Sequence, residues 1–286
     1  ANAQKLQWGP TNGPYGAVCA DLVITPAGTF LVNDERNGVW RSTDEGAHWS
    51  RSVTGFAGTH VEALALAADG AILAGEYNAM YHSTDDGVTW SNAGSGLSGK
   101  SDFTDLLVLS DGTVFCNAWS GGIYVSTDNG LSWTETTNGL PAAGKYYNLR
   151  SNNNDDVFAC GFASDLYRST DKGASWETLP MNGYIYDLGC APDGTLWAVN
   201  SDKGIYRSTD NGDSWNKSDQ GIPYFRGHGF IFRNLGEILL GVTCGNGIHR
   251  STDDGATWSI FNTGMSRTWV QGSYLTQIEQ FGSKKL

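Results

Sequence analysis

Four carboxylate residues stand at the starts of short apolar runs that read as β-strands. Asp21 begins "DLVITP", Glu62 lies in "VEALAL", Asp105 begins "DLLVLS" and Asp187 lies in "IYDLGC". Two carboxyl groups about 5–10 Å apart form the catalytic pair of most glycoside hydrolases. These four acids are therefore the candidate catalytic residues of an enzyme, while a solvated or backbone-capping role is the favoured interpretation for each acid taken alone.

Aromatic and polar residues occupy the irregular stretches between these runs. Rings stack on the apolar faces of sugars, and acids, amides and Arg bind the hydroxyl groups. The candidate ligand-binding residues are Trp119, Tyr77, Glu76, Arg36, Phe162, Tyr147, Tyr186, Arg226, His228 and Trp269. Core packing is nevertheless the favoured interpretation for Tyr147 and Tyr186, and a hydrogen-bonded structural role is the favoured one for His228.

The sequence lacks the motifs that mark other classes of enzyme. The chain has no nucleophile elbow, P-loop or His-Glu-x-x-His segment, and its five His are scattered. The five cysteines lack zinc-site spacing, and because their number is odd at least one thiol is free. They lie in apolar runs as small core residues, namely Cys19, Cys116, Cys160, Cys190 and Cys244. We therefore predict no metal and no cofactor.

The net charge of −12, with no Lys/Arg cluster beyond Lys284–Lys285, disfavours a nucleic-acid partner. No run approaches the roughly 18 apolar residues of a membrane span, so no membrane insertion is predicted. The N-terminal "ANAQ" is similar to the end of a cleaved signal peptide. It favours a secreted, periplasmic or cell-surface protein.

One phrase recurs six times, and its spacing indicates how the chain is built. Copies of Ser-x-Asp-x-Gly-x-x-Trp occupy residues 42–49, 83–90, 126–133, 169–176, 208–215 and 251–258. The intervals between their serines are 41, 43, 43, 39 and 43 residues. That is the length of one four-stranded propeller blade, about 40–45 residues.

Each unit contains four strand-like runs bounded by turn residues. In the second unit these are "VEALALAADG", "AILAGEYN", "AMYHS" and "TWSNAG". No stretch of about 10 residues shows the 3.6-residue periodicity of a helix. The sequence predicts an all-β chain, residues 1–286, forming a single β-propeller of four-stranded blades.

The repeated phrase resembles the Asp-box, or BNR repeat, at all four fixed positions in all six copies. Proteins with this repeat include sialidases, family 74 xyloglucanases, sortilin-type receptors, photosystem assembly factors and several lectins. The resemblance implies that the repeated turns join the third and fourth strands of propeller blades. Their Ser, Asp and Gly suit a tight hydrogen-bonded turn, and Trp an apolar anchor, so a structural role is predicted.

The number of blades is predicted from the chain ends. Trp8 precedes the first unit by nearly the same interval as each motif Trp precedes the unit that follows it. At the other end of the chain, "TWVQGSYLTQIEQF" follows Trp258. Seven blades are favoured, with the last one composite or incomplete, and six are the alternative. Closing the ring would remove exposed sheet edges.

In such a fold the candidate residues lie on the face opposite the repeated turns, at the mouth of the central channel. Loops held by a rigid scaffold commonly carry binding sites. A sialidase is disfavoured because its Phe-Arg-Ile-Pro motif is absent and because Arg41, Arg168, Arg207 and Arg250 occupy one repeated position, which indicates a structural role. The family's xyloglucanases place their cleft between two propellers, whereas this chain predicts one.

Three functions therefore stay open. The first is recognition of a carbohydrate, a glycan or polysaccharide, at the channel mouth by an exported propeller. The second is a glycoside hydrolase or polysaccharide lyase that uses the mouth carboxylates. The third is a protein-interaction or assembly-factor propeller with a protein partner.

Overall fold

The computed structural model describes residues 21–260, apart from residues 120, 142–143, 162–164, 182, 192, 201–203, 223–233, 236–237 and 244–246. The described residues form six four-stranded sheets, which we number as blades 1 to 6 in chain order. Blades 1 to 3 contain β1 Leu22–Ile24, β2 Phe30–Asp34, β3 Gly38–Ser42, β4 Ser50–Ser52, β5 Val61–Leu66, β6 Ile72–Glu76, β7 Ala79–Ser83, β8 Ser91–Asn92, β9 Asp105–Val108, β10 Val114–Asn117, β11 Ile123–Ser126 and β12 Thr134–Thr136. Blades 4 to 6 contain β13 Tyr146–Ser151, β14 Val157–Gly161, β15 Leu166–Ser169, β16 Glu177–Leu179, β17 Ile185–Cys190, β18 Leu196–Asn200, β19 Gly204–Ser208, β20 Asn216–Lys217, β21 Asn234–Leu235, β22 Ile238–Thr243, β23 Gly247–Ser251 and β24 Ser259–Ile260.

Every sheet is antiparallel, and its strands follow one another in chain order. The prediction of an all-β fold built from four-stranded units is therefore confirmed. The innermost strands of successive blades pack side by side, β1 with β5, β5 with β9, β9 with β13 and β13 with β17. This radial arrangement is that of a β-propeller. Across the described strands and loops there is no helix of the length and hydrophobicity that a bilayer crossing needs.

The up-and-down strand order separates the connections of each unit into two groups. The 1–2 and 3–4 turns leave one end of the sheet, which we call the motif face because each 3–4 turn is one copy of the repeated motif. The 2–3 turns and the 4–1 connections between blades leave the other end, which we call the connection face. The regular and irregular loops thus lie on opposite faces of the described blades.

The composite seventh blade falls in residues 1–20 and 261–286, outside the described residues, and stays a prediction.

Apolar side chains fill the space between neighbouring blades. Between blades 2 and 3, Leu73, Met80, Phe103, Cys116 and Tyr124 are each at most 1% exposed. Burial of one such side chain is worth about 1.5–3 kcal/mol. These contacts make each blade depend on its neighbour for stability.

Three cysteines fall among the described residues, and all three are free thiols. Cys116 and Cys160 are buried and Cys190 is half-buried. Burial raises the pKa of the Cys116 thiol well above its ordinary value, which keeps the thiol protonated and unreactive. Cys19 and Cys244 lie outside the described residues.

The motif folds as a compact hydrogen-bonded turn. In blade 2, Ser83 Oγ donates to Asp85 Oδ1 at 2.9 Å and accepts the Gly87 N–H at 3.0 Å. Asp85 Oδ1 also accepts the Thr89 N–H at 2.8 Å, and its Oδ2 accepts the Thr89 hydroxyl at 2.6 Å. Asp86 and Gly87 both have positive φ, 63° and 76°, which reverses the chain tightly.

Four of the motifs also bind the preceding blade through their Trp. Trp90 Nε1 donates to Ser52 Oγ at 2.9 Å, and the Trp90 N–H donates to the Thr54 carbonyl at 2.9 Å. The Ser52 hydroxyl in turn donates to the Gly87 carbonyl. Trp176 makes the same kind of contact with Thr136 of blade 3. Trp90 and Trp176 are therefore anchors between sheets, whereas the indoles of Trp49 and Trp215 donate within their own motifs, to the Gly46 and Gly212 carbonyls.

The Arg residues next to the motif serine serve the same purpose. Arg41 binds Asp86 of blade 2 at 2.8 Å, and Arg168 binds Asp213 of blade 5 at 2.9 Å. Arg207 is paired with Asp254 of blade 6. These contacts join the motif turns of adjacent blades on the motif face, so these Arg lie away from the connection face.

Candidate functional site

Three of the four candidate acids occupy the same level of the innermost strands. Asp21, Asp105 and Asp187 each directly precede a leucine that pairs with the middle of the second strand, at Leu22, Leu106 and Leu188. Glu62 lies one residue nearer the start of its strand, where the register between β5 and β6 shifts. The structure thus brings the four acids to the connection-face end of the innermost strands.

Asp21 hydrogen-bonds to backbone groups of the neighbouring blade. A β-bulge interrupts the pairing of β5 and β6 between Val61 and Ala63. The Leu64 N–H donates to Asp21 Oδ2 at 2.9 Å, and Asn33 Nδ2 donates to the Val61 carbonyl at 3.3 Å. Blade 1 thereby provides partners for backbone groups on either side of the bulge.

Asp105 has the same role between blades 3 and 4. A second bulge lies between Tyr146 and Asn148. The Leu149 N–H donates to Asp105 Oδ2 at 2.8 Å, and Asn117 Nδ2 donates to the Tyr146 carbonyl at 2.6 Å. The sequence carried a signal for this device, because Asp21 precedes Asn33 by the same twelve residues that separate Asp105 from Asn117.

Arg150 is a central residue that sequence reasoning missed. Its Nη1 lies 2.8 Å from Asp105 Oδ2 and its Nη2 lies 3.1 Å from Asp187 Oδ1. Burial favours a lower pKa for Arg150, but Asp187, Asp105 and the more distant Asp21 raise it overall, so the guanidinium is charged. One arginine of blade 4 therefore joins blades 3 and 5 through their acids.

The environment of Glu62 differs from that of the other three acids. His60 Nε2 lies 2.7 Å from Glu62 Oε1. Burial raises the pKa of Glu62, the hydrogen bond with His60 opposes this, and the charges of Asp102 and Glu35 add to the rise. Burial also raises the pKa of Asp102. The carboxylates of Glu35, Glu62 and Asp102, which belong to different blades or connections, therefore interact electrostatically.

Backbone hydrogen bonds connect the loops of blades 2 and 3 into one continuous edge. The Tyr77 N–H donates to the His60 carbonyl at 2.9 Å, and the Asp102 N–H donates to the Tyr77 carbonyl at 2.7 Å. The Trp119 N–H donates to the Asp102 carbonyl at 2.8 Å. Asp102 therefore links the backbones of Tyr77 and Trp119 through two consecutive hydrogen bonds.

Two aromatic rings stand on this edge. Tyr77 is 43% exposed, and the edge of one ring meets His60 with centroids 5.7 Å apart. Trp119 is half-buried, and Lys145 Nζ lies 4.6 Å from the centre of its ring. We call this edge the acidic rim, and it comprises Glu35, His60, Glu62, Glu76, Tyr77, Asp102, Trp119 and Lys145.

The remaining predicted residues are distributed more widely. Arg36 is exposed in the 2–3 turn of blade 1, where its backbone N–H donates to Asp34 at 3.0 Å. Tyr186 is half-buried against Tyr184, with ring centroids 4.4 Å apart. Tyr147 lies in β13. Four predicted residues lie outside the described residues, namely Phe162, Arg226, His228 and Trp269.

The described part of the chain contains no cluster of potential metal ligands. No group of three or more His, Cys, Asp or Glu there could hold a metal ion. The acidic rim is a surface of aromatic rings and carboxylates with two basic side chains, His60 and Lys145. Such a surface can stack rings on a ligand and accept its hydrogen bonds.

Sequence and structure comparisons bear on the fold. Residues 105–230 match the family profile of the DUF6242 beta propeller domain. No curated protein matches the sequence.

Several solved structures are similar to this chain. A YCF48 protein from Cyanidioschyzon merolae is 16% identical, with a TM-score of 0.72 over 98% of this chain and 93% of its own. A YCF48 protein bound to a D1 peptide is 17% identical, with a TM-score of 0.71 over 89% of this chain and 86% of its own. The GH74 enzyme of Niastella koreensis is 21% identical, with a TM-score of 0.58 over 83% of this chain and 43% of its own. The fold of this protein is thus a β-propeller, similar to the DUF6242 domain over residues 105–230.

Proposed function

We propose that this protein is an Asp-box propeller that binds a carbohydrate at its acidic rim. The observation that carries the proposal is the pair of rings, Tyr77 and Trp119, on one hydrogen-bonded edge with Asp102 between them. Two rings held on neighbouring segments of one edge suit a chain of sugar units, each ring stacking on one unit. Glu62 and Asp102 supply acceptors for the hydroxyl groups of that chain.

Binding of soluble oligosaccharides tests this proposal. We expect Tyr77→Ala and Trp119→Ala each to weaken binding of a retained oligosaccharide about tenfold, which corresponds to about 1.4 kcal/mol. The measurement is isothermal titration of cellohexaose, xylohexaose, the chitin hexamer and the chitosan hexamer. Val88→Ala is the matched control, because Val88 is 51% exposed but lies on the motif face. Unchanged affinity of both ring variants for every oligosaccharide that binds would rule the rim out as the site.

A protein or peptide partner is the second candidate. The likeness to YCF48 proteins extends over most of both chains, and one of those structures contains a bound peptide. Oligolysine in the same titrations is the probe for this candidate, because the rim is rich in carboxylates. Binding of oligolysine together with no binding of any oligosaccharide would favour it over carbohydrate recognition.

Glycoside hydrolysis is the third candidate, and Glu62 is the residue that favours it. A carboxyl group with a raised pKa is suited to donate a proton to a leaving group. Asp21, Asp105 and Asp187 stay predictions in this role, and their carboxylates already bind backbone N–H groups or Arg150. Release of reducing ends from the oligosaccharides, abolished by Glu62→Gln, would support an enzyme.

A further inference from the structure

His60 contacts both a carboxylate and an aromatic ring of the acidic rim. It ends the connection from blade 1 to blade 2, directly before β5. Its Nε2 lies 2.7 Å from Glu62 Oε1, and its ring meets the Tyr77 ring at an angle of 63° with centroids 5.7 Å apart. The His60 carbonyl also accepts the Tyr77 N–H at 2.9 Å. One residue therefore contacts Tyr77 through its backbone and through its side chain.

The hydrogen bond with Glu62 orients the His60 ring. The Glu62 side chain is 20% exposed and that of His60 is 47% exposed, so a partly buried carboxylate holds an imidazole near the surface. Tyr77 is itself 43% exposed, and contact with the imidazole restrains a ring that is otherwise largely open to solvent. A ring that is already restrained loses less conformational freedom when a ligand stacks on it.

Protonation changes the strength of the hydrogen bond between His60 and Glu62. A neutral imidazole has one N–H, which its two nitrogens compete for, whereas an imidazolium donates from both. A charge-assisted hydrogen bond to a carboxylate is about twice as strong as a neutral one. Histidine ordinarily changes its charge between about pH 5 and 8. The restraint on Tyr77 is therefore stronger towards the acidic end of that range.

The other charged groups that act on this pair are carboxylates. Asp102, in the connection between blades 2 and 3, interacts electrostatically with both His60 and Glu62, and Glu35 of blade 1 interacts with Glu62. In the described part of the chain, no Lys or Arg forms an ion pair with Glu62 or Asp102. Protonation of His60 therefore sets the balance of charge beside Tyr77.

We propose that His60 is a positioning residue for the Tyr77 ring and that its protonation makes carbohydrate binding at the acidic rim dependent on pH. The inference rests on the proposed carbohydrate function and adds its regulation. The imidazolium, held by Glu62, supports the Tyr77 ring in the orientation that stacks on a sugar unit. The neutral imidazole holds the ring less firmly, so the ligand must order it at a cost in affinity.

The pH profile of binding tests the inference. Cellohexaose, xylohexaose and the chitin hexamer are the probes for calorimetric titration, because none of them carries a group that titrates in this range. We expect those that bind to do so about threefold more tightly at about pH 6 than at about pH 8. His60→Gln, which keeps an N–H donor for Glu62 but does not titrate, should make the two affinities equal.

A second histidine provides the matched control. His48 Nδ1 lies 2.6 Å from Asp44 Oδ2, so it forms the same kind of pair, but on the motif face. His48→Gln should leave the pH dependence of binding as it is in the native protein.

NMR of the ligand-free protein tests the positioning role directly. With isotope-labelled His and Tyr rings, His60→Gln and Tyr77→Phe assign the two signals. We expect the Tyr77 ring signal to shift with the same midpoint as the His60 signal between about pH 5 and 8. Glu62→Gln should reduce the Tyr77 shift by about half although His60 still titrates, because the imidazole has lost the carboxylate that orients it.

The outcomes separate this inference from the proposed function. Equal affinity of the native protein at the two pH values overturns the pH dependence and leaves carbohydrate binding standing. A pH dependence that persists in His60→Gln overturns its assignment to His60. If no hexamer binds, the proposed function fails and the regulation of binding fails with it. A Tyr77 signal that does not follow the His60 titration overturns the positioning role in every case.

Discussion

At the scale of single residues, the positions that repeat most strictly serve contacts between blades. Gly55 follows β4 with φ +101°, and a Cβ added to it would overlap the Trp90 carbonyl of the next blade. Gly96, Gly139 and Gly221 have positive φ and meet the next motif Trp in the same way. The glycine after the fourth strand of blades 1, 2, 3 and 5 is therefore required by the motif of its neighbour, whereas Gly183, after β16, approaches Asn200 instead.

A pair of glycine substitutions tests this requirement. Gly28 also has positive φ, +85°, but nothing lies within 4 Å of an added Cβ. We expect Gly28→Ala to lower the free energy of unfolding by about 1 kcal/mol, the cost of a left-handed backbone. Gly55→Ala should cost about 3 kcal/mol, because the same backbone cost is joined by a clash with a carbonyl. Urea unfolding measures both, and equal costs would show that the approach to Trp90 is not tight.

At the scale of elements, the motif turn is stabilised by an ionised carboxylate. Hydrogen bonds from the side chain and backbone of Thr89 lower the pKa of Asp85 to about 2. The pKa values of Asp44, Asp210 and Asp253 are also lowered to about 2 by the same kind of bonds. A folded pKa below the ordinary value of 3.8 means that each turn gains stability above about pH 4. That stability is lost as the pH falls through about 2.

Substitution of one motif acid should show this pH dependence. Asp85→Asn keeps an oxygen for the backbone N–H of Thr89 but cannot accept the Thr89 hydroxyl as a carboxylate does. We expect a loss of about 0.5–1 kcal/mol in the free energy of unfolding at pH 7, limited by solvent screening. The difference from the native protein should shrink as the pH is lowered from about 4 towards 2. A difference that stays constant over that range would show that ionisation of Asp85 contributes nothing.

At the scale of the whole molecule, Arg150 connects three blades at their innermost strands. It belongs to blade 4 and binds Asp105 of blade 3 and Asp187 of blade 5. Asp105 in turn binds the backbone of blade 4 through the Leu149 N–H. The bulged inner strands are therefore held together by polar contacts, whereas the blade faces are held by apolar ones.

Removal of the guanidinium should destabilise the whole protein. We expect Arg150→Met to lower the free energy of unfolding by about 1–3 kcal/mol, because it leaves two partly buried acids without their cation. The estimate is below the cost for a fully buried pair because 32% of the Arg150 side chain is exposed.

Thermal unfolding of Arg150→Met and of two further variants measures this effect. Asp187→Asn combined with Arg150→Met should recover part of the loss by removing one of the unpaired charges. Arg51→Met is the control, since Arg51 is exposed and binds the Asn37 carbonyl, and it should change stability by less than about 0.5 kcal/mol. No loss in Arg150→Met would contradict a stabilising role for the contact.

The sequence by itself determined the repeating unit of this protein. Six copies of one phrase at nearly constant intervals are enough for this, because the turn they form is local and depends on residues within eight positions. The bounds of β7, Ala79–Ser83, follow from the alternation and the motif serine. The division of loops into two faces follows from the antiparallel order of four strands.

Only the tertiary structure decided which of the candidate residues lie together on one surface. Asp21 and Asp105 bind backbone groups of the next blade, more than forty residues away in the chain, and Arg150 meets its two acids from either side. Glu62, Tyr77, Asp102 and Trp119 form one edge because loops of two blades hydrogen-bond to each other. Distances across blades depend on packing and bulges, which leave no periodic trace in the residues, whereas a local turn and a strand leave one.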